Sequence, residues 1–335
     1  MSQPITHGQW AVTMFSFTNE LMAAKKDSID ILCEVLDSGL TKVVELDGPQ
    51  HFRNYPTPPA AEVAETIRAV ASRDAKIGQL GIYIDRTIAP GKFLNHEQVI
   101  EQVAVQLELA GTLGAKFARL GLGFASIDEL RELVPIAESH DVTLVLEVQG
   151  TQTHDSPQVQ ENLAFMRELN SPNLGLLFDL SLCMRVLPPT YLVALGECGF
   201  TAAEVDELTN AWTNLSLDQL RGEIFGRWLP KSPSSLATML LLSLVTRMGK
   251  TSVTDWTEAL PLVKGVHLKF WDADDEGAAI SGPMGELIAA LEALGFNGYF
   301  TSEWGGHEWL DSSVPSATMV AAQKKIFEQR VETSN

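Results

Sequence analysis

The stretch Gly298–Asp311 reads GYFTSEWGGHEWLD: an apolar strand that ends abruptly in a carboxylate, Glu303, beside two glycines, a histidine and two tryptophans. A charge at the exit of a buried strand is costly to desolvate unless it finds a partner. Three earlier stretches close in the same way: LVLEVQG at Glu147, GLLFDLS at Asp179 and GVHLKFWD around His267. Glu147, Asp179, His267 and Glu303 together offer three carboxylates and one neutral nitrogen. That donor set suits one divalent cation, because hard ions such as Mg2+ and Mn2+ favour carboxylates and Mn2+ and its neighbours also accept imidazole.

Working outward, short apolar runs alternate with helical periodicity along the chain. Strands are predicted at Trp10–Phe17, Lys42–Leu46, Gly78–Ile84, Lys116–Leu120, Thr143–Val148, Leu174–Phe178, Val263–Phe270 and Tyr299–Ser302. Helices are predicted at Ser28–Ser38, Pro58–Arg73, His96–Leu113 with Asn95 as cap, from the capping box Ser126–Glu129 to His140, and at Ser156–Leu169 and Gly285–Leu294. Eight strands alternating with helices imply parallel strands covered by helices, and in a chain of 335 residues they point to an α/β fold, a closed (β/α)8 TIM barrel. Polar groups gathered at strand C-terminal ends are where such barrels build active sites. An open doubly wound sheet is the alternative, but no glycine fingerprint follows the first strand.

One interval breaks the rhythm. Asp179 and Val263 are separated by roughly eighty residues, several times a usual βα connection. Pro189–Cys198, Thr201–Trp212 and Leu217–Phe225 look helical, and Leu236–Arg247 is strongly apolar. The expected organisation is therefore one TIM-barrel domain over 1–335 with a helical insertion at 186–260, between strands six and seven. Its apolar face is either packed privately on the barrel or offered to another subunit.

A formal charge of −19 argues against nucleic acid or an anionic membrane surface as partner. The longest apolar run, Leu236–Val245, is too short to span a membrane. Three cysteines without pairing spacing, and an N-terminus with no basic-then-apolar segment, fit a reduced cytoplasm.

The four strand ends resemble the xylose isomerase-like TIM barrel superfamily, whose metal sits on Glu, Asp, His and Glu from strands five to eight. In that order these match Glu147, Asp179, His267 and Glu303. The ketose epimerases of the superfamily commonly carry a histidine three residues after the sixth-strand Asp, where this chain has Leu182. The strong negative charge and only seven histidines do not fit its three-zinc DNA-repair enzymes. HLKFWDAD and SEWGGHEW are similar to bacterial sugar isomerase-like proteins, among them the catalytic α subunits of C-glycoside deglycosidases. That resemblance implies a divalent cation, Mn2+ first with Mg2+, Co2+ and Zn2+ as alternatives. It also implies a sugar or glycoside substrate and a small β subunit, for which the 186–260 insertion is the expected docking surface, and hence an oligomer. The implied reaction is cleavage of the carbon–carbon bond of a 3-oxo-C-glycoside. The alternatives are a stand-alone sugar isomerase or epimerase and a non-catalytic sugar-binding barrel.

All the enzymatic options need a base that takes a proton beside a polarised carbonyl. His307, four residues beyond Glu303 in a glycine-rich loop, is the first candidate, with His51 and His154 as further rim histidines. Lys269 shares a strand face with His267 and could hold a substrate oxygen or pair with Asp272. Glu45 and Arg119 either bind sugar hydroxyls or pair with each other, and Gln149 could orient substrate. Trp10, Phe15, Trp271 and Trp304 are candidates for an apolar wall against the substrate.

Overall fold

The computed structural model of this chain describes residues 8–273, 279–311 and 313–333. Its strands are β1 (Gln9–Thr13), β2 (Val43–Asp47), β3 (Lys76–Gly81), β4 (Thr87–Ala89), β5 (Lys92–Phe93), β6 (Phe117–Gly121), β7 (Thr143–Val148), β8 (Leu174–Asp179), β9 (Val263–Phe270) and β10 (Tyr299–Trp304). Eight of them pair in parallel and close into a barrel in the order β1-β10-β9-β8-β7-β6-β3-β2, while β4 and β5 form a separate antiparallel hairpin. Leaving the hairpin aside, each barrel strand lies beside its predecessor in the chain. This is a (β/α)8 TIM barrel.

The covering helices are α1 (Thr18–Met22), α2 (Ser28–Asp37), α3 (Gly48–His51), α4 (Ala60–Ala71), α5 (His96–Thr112), α6 (Ile127–Ser139) and α7 (Pro157–Leu169), followed by α8 (Pro189–Glu197), α9 (Ala202–Asn214), α10 (Leu217–Glu223), α11 (Ser235–Thr246), α12 (Ser281–Glu292) and α13 (Ser316–Thr333). Their starts are set by local chemistry. Asn95 and Ser126 form reciprocal capping boxes with Gln98 and Glu129, and Asp27 accepts from the Asp30 amide. Each satisfies amides that the first helical turn leaves without a partner.

Alternation along the strands positions the site. Ala11, Val43, Phe117, Val145, Leu177 and Tyr299 pack together inside the barrel, near the strand starts. Two residues further along most of these strands the inward positions turn polar, giving Glu45, Arg119, Glu147 and Asp179. The residues between, such as Val44, Ala118, Leu146 and Phe178, face the helices in the main core. A period of two thus separates a dry floor from a charged upper layer.

Several boundaries differ from expectation. The first strand ends at Thr13, because the Thr13 hydroxyl accepts from the Phe15 amide and turns Met14–Phe17 into a short 3-10 helix. The third strand stops at Gly81, and the hairpin after it, turning at Gly91 with φ +72°, was not foreseen. Nor was α13, whose buried face includes Val320, Gln323 and Phe327.

Between β8 and β9 the chain makes four helices, α8 to α11, with a π-helical turn at Ile224–Trp228. They enclose a core of their own, in which Tyr191, Leu208, Trp212, Leu220 and Leu241 are buried. The excursion leaves and returns at one place: Met184 donates to Gly249 O, Gly249 to Ser181 O and Thr251 to Leu182 O. Gly249 is required there, since a Cβ would stand 2.2 Å from the Gly150 carbonyl and 2.6 Å from that of Leu182. Trp271, just past the end of β9, belongs to this second core and ties it to the barrel mouth. No helix among the described residues is long and apolar enough to cross a membrane. Cys33, Cys183 and Cys198 are free thiols.

Leu220 is fully buried in this second core. Leu220→Ala should lower unfolding free energy by about 2–5 kcal/mol, the usual range for emptying such a site, in equilibrium urea denaturation. A loss below about 1 kcal/mol would mean that these helices are not held by a packed interior.

Candidate metal centre

Asp179 closes β8, Glu147 and Glu303 are the penultimate residues of β7 and β10, and His267 stands inward on β9, so four neighbouring strands deliver their polar side chains to one point. One ligating atom from each lies within 4.8 Å of the others, and all four residues are buried. His267 Nδ1 is 2.8 Å from Glu147 Oε1 and 2.5 Å from Glu303 Oε2. Nevertheless His267 Nδ1 and Glu303 Oε2 have no hydrogen-bond partner among the described residues. Their close approach without hydrogen-bond geometry is what convergence on a common centre produces.

Each member is held from outside by its other polar atom. Glu147 Oε2 accepts from Arg119 Nη1 at 2.9 Å and from Gln149 Nε2 at 3.3 Å, leaving Oε1 facing His267. Glu303 Oε1 accepts from Lys269 Nζ at 2.9 Å. Asp179 Oδ1 accepts from the Ser181 amide at 2.6 Å. His267 Nε2 lies 2.7 Å from Glu45 Oε2, and because a carboxylate can only accept, Nε2 carries a proton and Nδ1 is the ring nitrogen turned inward. A ring nitrogen fixed by an outer carboxylate is the arrangement that orients metal-ligating histidines. Three oxygens and one nitrogen, each anchored behind and free in front, fit a divalent cation.

The electrostatics point the same way. Burial pushes the Asp179 carboxyl up to about 7, with Glu303 and Glu147 adding to the rise and Lys269 and His267 opposing it. Burial would lower the His267 imidazole, but Glu45, Glu303 and Glu147 outweigh it and hold it well above its usual range, so the ring is protonated here and a cation would take the place of the inward Nδ1 proton. Burial would raise Glu45 and Glu303. His267 and Arg119 keep the first below the usual carboxylate range, and Lys269 and His267 keep the second well below it. The surplus of negative charge here calls for a cation.

Glu45 and Arg119 pair at 2.8 Å, and both reach the centre from behind, through His267 and Glu147. Lys269 pairs with Glu303 and stands 3.6 Å from Glu308; Asp272 instead accepts from the Thr190 amide. Phe15 lies at the centre's edge, with Lys269 Nζ 5.3 Å from its ring and His307 edge-on at 4.7 Å. Trp271 also carries Lys269 over its ring, at 5.3 Å.

Other expectations need correction. Trp10 faces outward on β1, donates to Leu40 O and packs on Phe327 of α13, so it cannot wall the barrel mouth. Trp304 likewise points to the helix side of β10, fully buried in the main core, with its indole N–H donating to Trp271 O. His51 is buried between α3 and α4, its Nε2 3.0 Å from Thr66 Oγ1 and its ring edge-on to Phe52. His154 packs edge-on to Trp256 and lies beside Gln160 Nε2. Neither His51 nor His154 is brought to the four-residue cluster by these contacts.

Sequence reasoning missed Gln79, whose Nε2 lies 3.3 Å from His267 Nε2, and Asp47 and Tyr83, which bond each other beside Arg119. Glu308, next to the candidate base, was also passed over. The signal was available for Asp47, since β2 reads Glu45-Leu46-Asp47 and a period of two puts both carboxylates inside. Gln79 and Tyr83 carry no charge and gave none.

Comparison with known proteins agrees with this architecture. The xylose isomerase-like TIM barrel family profile matches residues 34–186. A protein named 3'-dehydrocarminate deglycosidase alpha subunit, from Microbacterium sp, is 26% identical over 326 residues, 94% of this chain and 93% of its own. A C-glycoside deglycosidase alpha subunit from Arthrobacter globiformis is 27% identical over 309 residues, 89% of this chain and 84% of its own. Among solved structures, a 3-keto-D-glucoside 4-epimerase from E. coli shares the fold with TM-score 0.52 and 12% identity, over 95% of this chain and 98% of that one.

Burial depresses His51 from 6.5 to about 4. The neutral ring is favoured in the fold, so its contribution to stability is complete above pH 6.5 and is lost as pH falls toward 4. The shift is worth up to about 3 kcal/mol. In denaturation curves over that window, wild type should lose more stability than His51→Gln by an amount up to that size. Parallel curves for the two proteins would contradict the assignment of His51 to the scaffold.

Proposed function

We propose that this chain, a xylose isomerase-like TIM barrel, is a divalent-metal-dependent enzyme acting on a keto-sugar conjugate, and more specifically the catalytic α subunit of a C-glycoside deglycosidase. The observation that carries the reading is the buried Glu147–Asp179–His267–Glu303 centre, with each donor anchored behind and free in front. The two relatives named deglycosidase alpha subunits, matched along most of both chains, favour this reaction over isomerisation. The expected cation is Mn2+, with Mg2+, Co2+ and Zn2+ as alternatives. When bound it would supply Lewis-acid polarisation of the sugar carbonyl.

The remaining chemistry falls to side chains around the centre. His307 is our base. Burial pushes its imidazole down to about 4, with Lys269 contributing, so the ring is neutral at pH 7 and its unpartnered Nδ1 can receive a proton. The pair of electrons left by the C–H proton beside the ketone forms an enolate. Its collapse forms a carbon–carbon double bond conjugated to the re-formed ketone and breaks the sugar–aglycone carbon bond, whose electron pair leaves with the aglycone carbon, which then takes a proton. Lys269, kept cationic by Glu303 and Glu308 despite its burial, stands ready to hold negative charge on oxygen. Arg119 and Gln149 keep Glu147 oriented.

We take 1–335 as one barrel domain and 186–260 as an insertion on which a small second subunit docks. The relatives' designation as alpha subunits supports a partner, and Val186, Val193, Leu236 and Met239 leave apolar side chains exposed there. Free thiols on all three cysteines suit a cytoplasmic setting.

The test is aglycone release from a 3-oxo-C-glucoside, with and without Mn2+ and with and without a co-expressed small β subunit. Release should require both additions, and His307→Asn should lower kcat by about 10²–10⁴ without loss of bound metal. No release, together with solvent deuterium exchange into free keto-sugars, would move the assignment to a stand-alone isomerase.

A further inference from the structure

Beyond the four-donor centre, a second set of polar atoms gathers around Lys269. The indole Nε1 of Trp271, the Nδ1 of His307 and both carboxylate oxygens of Glu308 are buried and have no hydrogen-bond partner among the described residues. Buried polar groups in folded proteins are nearly always bonded, so four such atoms near one lysine need a reason. Glu308 is the most telling of them. Its side chain is only 12% exposed, yet its Oε1 stands 3.6 Å from Lys269 Nζ and 3.8 Å from Arg247 Nη1, both beyond hydrogen-bond reach. The Lys269 ammonium is already committed to Glu303 at 2.9 Å.

The surrounding chain holds these groups in place. Trp271 stacks on Trp309 at 14° and is 1% exposed. Its Nε1 lies so close to Gly305 that a Cβ there would stand 2.4 Å away, so glycine is what lets the indole edge meet the end of β10. Arg247, at the end of α11, brings the inserted helices to the same spot.

The chemistry of the set selects its ligand. Glu308 offers acceptors only, the Trp271 N–H donates only, and the His307 nitrogen completes the group. An anion would be repelled by Glu308, and a cation would find nothing to do at the indole N–H or beside Lys269. A neutral ligand rich in hydroxyls satisfies every member, because each hydroxyl both donates and accepts. We propose that Glu308 anchors the sugar ring of the substrate, accepting from its hydroxyls while the Trp271 N–H donates to an oxygen of the same ring. This assignment rests on the sugar-acting function proposed above and adds the residue that recognises the polyol.

The experiment is calorimetric titration of Mn2+-loaded wild type and Glu308→Gln with a 3-oxo-C-glucoside and its 4-deoxy and 6-deoxy counterparts. Wild type should bind the parent at least tenfold more tightly than Glu308→Gln does. The penalty should shrink below threefold for the analogue lacking the hydroxyl that Glu308 receives, a selectivity that a structural role would not give. Glu308→Gln also removes a charge 3.6 Å from Lys269 Nζ and 3.8 Å from Arg247 Nη1, so thermal melts are recorded beside the titrations and the difference between the sugars, which a loss of stability would not produce, decides the role. Trp271→Phe, which deletes the N–H and keeps a ring, should weaken the parent sugar as well. Equal binding by wild type and Glu308→Gln, or an equal loss for all three sugars, overturns the anchor and leaves the function standing. Failure of wild type to bind any of the three overturns both.

Discussion

The structure turns on the burial of four polar side chains at a single point. Glu147, Asp179, His267 and Glu303 come from consecutive strands and lie out of water, where carboxylates in such proximity repel one another. Arg119 behind Glu147, Lys269 behind Glu303, Glu45 behind His267 and the Ser181 amide behind Asp179 offset part of that cost. They also fix one atom of each donor and leave the other facing the centre. The elevated Asp179 shows what remains uncompensated. A divalent cation would complete the balance, and the outer residues explain how the four donors stay ordered.

The barrel makes this arrangement possible through one repeated rule. A period of two sends alternate residues inward, and along most strands the inward series passes from an apolar layer to a charged one. The apolar layer closes the bottom with side chains of neighbouring strands, as in other barrels of this class. The charged layer therefore sits where loops can reach it, and the short helix Gly306–Glu308 and the segment after β9 bring His307, Glu308 and Trp271 to its edge. The inserted helices have a core of their own but share Trp271 with the mouth, so substrate recognition and any partner bound there would be physically coupled.

Much of this was legible in the residues. The four strand ends, the eight short strands and the helical excursion each follow from local pattern, and the Val263–Phe270 strand was placed to the residue. What escaped depended on geometry that a pattern does not carry. Trp10 and Trp304 were assigned to the mouth because aromatic residues beside a polar site suggest a sugar wall, yet parity along β1 and β10 turns both outward. The helix Ser316–Thr333 was overlooked because its buried face includes Gln323, which is polar and bonds Ser302 and Leu268 O rather than joining an apolar stripe. His51 read as a rim histidine by its position after β2, but the short helix α3 carries it under α4.

The central claim is that the four buried donors hold a cation, and metal content tests it most directly. Purified wild type and Glu147→Gln would be examined by inductively coupled plasma mass spectrometry after incubation with Mn2+ and removal of free ion. The account predicts about one divalent cation per wild-type chain, the stoichiometry of a single oxygen-and-nitrogen cage, and a large loss in the folded variant. Wild-type protein that takes up no Mn2+, Mg2+, Co2+ or Zn2+ would contradict it.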